Sequence, residues 1–124
     1  AYLLIVQTRP EPEQAIAKLQ PILEKNSKHG YAHLIIAQAY RARGSAFYSL
    51  AIDHFEKAIR FDQKKQGYFY LELGYFYRYF TRDLQKASIC FEKSLAQKIY
   101  LSACVELAEL AILDDTTINE PSQY

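Results

Sequence analysis

Three histidines, two cysteines and a tyrosine-dense stretch with arginine beside it are the residues of this chain that could do chemistry. His29, His33 and His54 are scattered through the sequence. His54 adjoins Asp53, but adjacent helix positions do not face each other, so the two do not make an acid–base pair. Cys90 and Cys104 lack the CxxC or Cys/His spacing of a metal site. In apolar helical surroundings they read as small hydrophobes, with no disulfide implied. No Ser/His/Asp set, phosphate-cradling glycine loop or paired carboxylates can be assembled on one helix face. The expectation is therefore a protein that is not an enzyme, with no cofactor, no metal and no small-molecule substrate. What remains is binding chemistry. Eight of the eighteen aromatics lie in residues 68–80. Within that stretch Tyr68, Tyr75 and Tyr79 are spaced by seven and four, which puts them in one stripe. Tyrosine offers apolar area with a polar tip and few rotamers to lose. Arg41 and Arg78 would orient a carboxylate.

The elements that must carry these side chains are helices. Residues 1–8 read as the end of an apolar helix, closed by a Pro-bearing turn at 9–12. A helix then runs to about Lys25, with Ala15, Leu19, Ile22 and Leu23 on one face and a kink expected at Pro21. Residues 26–30 are a stop, with Gly30 suited to a left-handed C-terminal cap or a turn position. Residues 31–43 and 47–61 form the next two helices, the latter with a Leu50, Ala51, Phe55, Ala58, Ile59 stripe. Residues 68–80 are aromatic enough for a strand. They lack alternation and are long, so they read as a helix packed on several sides. Residues 84–97 and 100–113 complete the set, and residues 114–124 read as a polar, fraying tail. Short connections between helices make neighbours antiparallel.

The length of 124 residues fits one unit. A formal net charge of +1 makes no whole-protein case for nucleic acid or an anionic membrane. Residues 41–98 hold eleven Lys/Arg against six Asp/Glu, whereas residues 99–124 hold five acids and no Lys/Arg. No apolar run reaches the ~18 residues of a membrane span. The cysteine usage points to a cytoplasmic, reducing compartment. A chain starting at Ala1 without methionine suggests a fragment or a removed leader, which would allow an extracytoplasmic location.

The helices repeat. Tyr70-x-x-Leu73-Gly74-x-x-Tyr77 is followed by Ala87, Phe91 and Leu95. His33-x-x-Ile36-Ala37-x-x-Tyr40 is followed by Ala51, Phe55 and Ala58-Ile59. Cys104-x-x-Leu107-Ala108-x-x-Ala111 continues the frame, and Ala15 to Leu23 half-begins it. Offsets of 37 from His33 to Tyr70 and 34 from Tyr70 to Cys104 lie just above and at the ~34-residue period of tetratricopeptide repeats. The extra residues fall in the Gly44–Tyr48 turn. The chain thus resembles the tetratricopeptide-repeat (TPR) family over about residues 12–113. It departs at Ser94, at Ala111 and in lacking the proline that closes the second helix of a repeat. Gly74 and Ala37 are the small positions where paired helices meet. Tyr40, Tyr77, Phe55 and Phe91 are the knobs, and stacking of neighbours makes the core.

The resemblance implies an all-α fold, an antiparallel helix-pair solenoid with a right-handed superhelix, as one domain over 1–124. It implies partial repeats at 1–29 and 100–113 around full repeats at about 30–65 and 66–99. It also implies a concave groove lined by Tyr31, Leu34, Gln38 and Arg41, then Tyr68, Leu71, Tyr75, Arg78 and Tyr79, then Ser102, Val105 and Glu109. Such a groove suits a protein or peptide with an apolar anchor and acidic character. Leu34, Gln38, Leu71 and Tyr75 stand where the co-chaperone subset of the family places its carboxylate-gripping Lys and Asn, so that clamp is not expected. The expected function is a non-catalytic scaffold or adaptor. The alternatives are single-stranded RNA binding through the Tyr/Arg face, against which the near-neutral charge argues, and self-assembly into homo-oligomers through exposed solenoid ends.

Overall fold

The computed structural model describes residues 11–118, with side chains as far as Leu113. The expected apolar helix at 1–8 and the end of the polar tail lie outside these residues. Six α-helices account for almost everything described, and none of the described residues is in a strand. They are α1 (Pro12–Lys25), α2 (Gly30–Ala42), α3 (Tyr48–Phe61), α4 (Gln66–Phe76), α5 (Leu84–Gln97) and α6 (Leu101–Ile118). The chain divides into two compact units, Ala1–Gln63 and Lys64–Tyr124. Each contains one of the two full sequence repeats. Among the described residues no helix is long and apolar enough to cross a membrane.

In the first unit α1 and α3 both pack on α2. Pro12 opens α1 in its first turn, where a missing N–H is harmless. The kink expected at Pro21 does not interrupt the helix, which runs unbroken to Lys25. Ile22 faces solvent, 41% exposed, and so drops out of the expected stripe. His29 caps α2, its Nδ1 accepting from the Ala32 N–H at 3.1 Å. Gly30 is not the left-handed cap that its position after α1 suggests. It is the first residue of α2, and a Cβ there would lie 2.5 Å from Asp62 Cβ at the end of α3. The start of α2 thus meets the end of α3, which makes the pair antiparallel. The left-handed glycine is Gly44, at φ 113°, where α2 stops. A short 3-10 turn, Ser45–Phe47, then leads into α3. Ala37, Ala51, Phe55 and Ala58 are fully buried between the helices, whereas Leu50 is 44% exposed and outside the stripe.

The second unit repeats the device. Gly67, near the start of α4, lies against Gln97 Cβ and the Ser94 carbonyl at the end of α5. Ser94 Oγ donates to the Gly67 carbonyl at 2.7 Å, which explains a hydroxyl at a position with no exposure. Gly74 faces the ring of Phe91. The aromatic run that could have been a strand is helical, because Phe69, Leu73, Phe76 and Tyr77 bury on one side and Leu71 on another. Its last turn, Tyr77–Thr81, widens into a π-helix that ends at Arg82 in the left-handed region, φ 61°. The Tyr77 carbonyl collects the Asp83 N–H at 2.9 Å and the Thr81 hydroxyl at 3.1 Å. Asp83 then caps α5 through its Oδ1 and the Lys86 N–H at 3.1 Å. α6 packs on α5 and continues five residues past the expected end at 113. Ala103, Glu106 and Leu110 are buried, whereas Cys104, Ala108 and Ala111 are exposed.

Candidate functional site

The expected groove residues sort by burial within each unit. In the first, Tyr31 is 46% exposed, Gln38 and Arg41 are half-buried, and Leu34 is only 1% exposed. In the second, Tyr79 is 51% exposed, Val105 is 48% exposed, Tyr68 and Tyr75 are half-buried, and Leu71 is buried. Ser102 is exposed. Leu34 and Leu71 are therefore packing residues. A helix buried on more than one side brings its intermediate positions into the core as well.

The π-turn governs the polar part of the second unit. A π-turn adds a residue to one helical turn and so shifts the phase of the residues after it. Arg78 and Tyr79 lie in that turn, and both reach α6. Arg78 Nη1 is ion-paired with Glu106 Oε2 and donates to Glu109 Oε1 at 2.8 Å. The Tyr79 hydroxyl donates to both oxygens of Glu106, at 2.8 and 3.1 Å. The Arg78 guanidinium also lies 4.9 Å from the Tyr79 ring centre. Tyr75 connects this cluster to the core, with ring centres 6.4 Å from Tyr79 and 5.6 Å, edge-on, from Phe91.

The electrostatics reflect burial and pairing. Burial disfavours the Arg78 charge, but the hydrogen bonds it donates to Glu106 and Glu109 outweigh it and raise its pKa. Burial, and then the hydrogen bond to Glu106, raise the Tyr79 phenol. Arg78, expected to orient a ligand carboxylate, is therefore committed to two carboxylates of its own chain. Glu106 was missed by the sequence frame, which put Cys104 and Leu107 on the packing side. The available signal was the spacing Ala103-x-x-Glu106-x-x-x-Leu110, together with the acid excess after residue 98.

The first unit holds a second polar cluster. His33 Nε2 lies 2.7 Å from the Ser27 carbonyl, and His33 Nδ1 lies 3.0 Å from His54 Nδ1. A carbonyl only accepts, so His33 carries its proton on Nε2. With both rings neutral, His54 Nδ1–H then donates to His33 Nδ1. The rings stack at 5.2 Å, with Tyr40 5.7 Å from His54 and Phe61 5.6 Å from His33. Burial foremost, then the neighbouring His33 and Lys57, lower the His54 pKa to about 4, against the opposite pull of Asp53. Asp53 itself bonds Lys57 at 3.0 Å. The scattered histidines of the sequence are thus a helix cap and an inter-helix pair. Among the described residues no group of three or more His, Cys, Asp or Glu could hold a metal ion.

No family model matches the chain, and neither a curated protein nor a solved structure matches it.

Proposed function

We propose that the chain is a TPR-like helical-repeat scaffold that binds a protein or peptide segment and carries out no catalysis. The observation that carries this reading is the repeated helix notch. A small residue on the first helix of each pair, Ala37 or Gly74, is matched by a fully buried phenylalanine on the second, Phe55 or Phe91. That repetition at an offset of 36–37 residues supports a solenoid, and solenoids present extended surfaces to partners. The half-exposed tyrosines, Tyr31 in one unit and Tyr79 in the other, are the anchors available for such a surface. The tie between Arg78 and Glu106 and Glu109 moves the expected ligand away from acidic character and toward apolar, hydrogen-bonding segments. It also weakens the single-stranded RNA alternative, because phosphate contacts require unneutralised cations.

The test is selection of binding peptides from a displayed random library against the intact chain. Enriched peptides are then titrated against the wild type and against Tyr31→Ser and Tyr79→Ser variants, the latter also losing its hydrogen bond to Glu106. Affinity reduced tenfold or more by either substitution, with the helical circular dichroism of the wild type retained, supports the reading. Recovery of no sequence-specific peptide, or salt-sensitive retention of single-stranded RNA by the wild type, rejects it.

A further inference from the structure

The histidine pair between α2 and α3 plays no part in the proposed scaffold function, and its geometry suits a two-donor metal site. His33 Nε2–H donates to the Ser27 carbonyl at 2.7 Å. A backbone carbonyl in that place fixes the tautomer and ring orientation of a metal-binding histidine. The His33 Nδ1 lone pair then meets His54 Nδ1, 3.0 Å away. The two nitrogens face each other nearly in line. Of the 5.2 Å between the ring centres, 3.0 Å is the gap between the Nδ1 atoms, and the remaining 2.2 Å is nearly two imidazole radii. Tyr40 and Phe61 flank the pair, their ring centres 5.7 Å from His54 and 5.6 Å from His33. Among the described residues no third His, Cys, Asp or Glu completes a metal-binding group with it.

These features select the kind of ion. Divalent zinc, nickel or copper takes four or more donors, which two imidazoles do not supply. It also brings two charges into a site that is largely out of water, where desolvation is costly. A monovalent d10 ion, copper(I) or silver(I), is satisfied by two nitrogen donors in line and brings one charge. Metal–imidazole bonds of ~2 Å place the nitrogens of a linear site about 1 Å farther apart than the hydrogen bond does. His33 is 5% exposed and His54 is half-buried, so His54 is the ring with room to withdraw toward solvent.

We propose that His33 and His54 form a site for a monovalent d10 metal ion, copper(I) or its redox-inert analogue silver(I), held linearly between the two Nδ1 atoms. The ion takes the place of the shared hydrogen bond and links α2 to α3. Each Nδ1 gives its lone pair to the ion, and the His54 proton moves from Nδ1 to Nε2. Binding therefore changes the tautomer of one histidine, releases no proton and transfers no electron. The site does not depend on the peptide-binding reading, so either can fail alone.

The probe is silver(I), added as the nitrate in chloride-free buffer to the full chain carrying Cys104→Ser, which removes the exposed thiol that would compete for it. Both silver isotopes have nuclear spin one half and split the resonance of a directly bonded nitrogen in the isotopically labelled chain. The expected result is splitting of the Nδ1 resonances of His33 and His54, none at His29, and a shift of the His54 proton to Nε2. Isothermal titration should show silver affinity at least tenfold weaker in His54→Gln, and zinc(II) affinity at least tenfold below that of silver. The splittings are read with both histidines in place, so they decide the question even where His54→Gln fails to fold. Absence of splitting at either Nδ1 under saturating silver overturns the proposal, as does splitting at His29 or at an Nε2 atom. Silver affinity unchanged in a folded His54→Gln chain, or zinc(II) binding as tight as silver, also overturns it.

Discussion

A Cβ on Gly74 would lie 2.6 Å from Cε1 and 2.8 Å from Cδ1 of Phe91, closer than nonbonded carbons approach. The ring is fully buried, and burying it contributes about 2–3 kcal/mol. α4 and α5 therefore approach as closely as they do because one residue has no side chain. Gly74→Ala should destabilise the chain by about 1–3 kcal/mol through overpacking, despite the higher helix propensity of alanine. Phe91→Ala should cost about 3–5 kcal/mol through the cavity it leaves. Combining the two should cost less than their sum, because each relieves the other's misfit. Urea unfolding of the three variants gives the answer, and strict additivity would show that the contact is not shared.

The Arg78–Glu106 pair predicts an asymmetry. The side chains are 13% and 11% exposed, and Arg78 is the cation that balances the buried Glu106, whereas Arg78 would keep Glu109 if Glu106 were lost. Arg78→Met should cost about 3 kcal/mol. Adding Glu106→Leu should restore most of it, because the buried pair itself repays little more than its desolvation. A Glu109→Gln variant should change stability by less than about 1 kcal/mol, since that carboxylate is half in water. The unfolding midpoint in urea separates these cases.

His54 predicts a pH dependence. Its pKa is lowered from 6.5 to about 4, with burial as the leading cause. The unfolded chain therefore binds more protons than the folded one between these values. Its contribution to stability is complete above pH 6.5, declines as the pH falls toward 4, and is lost below that. Allowing for water access, the loss amounts to about 1–2 kcal/mol. The slope of stability between pH 6.5 and about 5 should flatten in His54→Gln. An unchanged slope would place the proton uptake elsewhere.

Arg82 adopts φ 61° where the π-turn meets α5. A left-handed conformation disfavours a Cβ-bearing residue by about 1 kcal/mol. Arg82→Gly should raise stability by about 0.5–1 kcal/mol, read as a melting-temperature increase of a few degrees. A decrease would mean that the side chain makes a compensating contact.

Local sequence determined much of this molecule. Spacing of small and large apolar residues was enough to place the helices within a few residues and to mark Gly74 and Ala37 as small positions where paired helices meet, because helical period and residue volume are local properties; that Gly74 meets the ring of Phe91 came from the structure. The aromatic stretch was legible as helix for the same reason, since no alternation supported a strand. Tertiary structure alone decided the rest. It turned Gly30 from a cap into a contact point for Asp62, widened the Tyr77 turn, and rotated α6 so that Glu106 reaches Arg78 and Tyr79. It also joined His33 to His54, twenty-one residues apart. Each of these depends on the rotation of one helix about its axis relative to another. A change of one residue position turns a helix by about 100°, so a phase error too small to alter the helix assignment reassigns every polar contact on its surface.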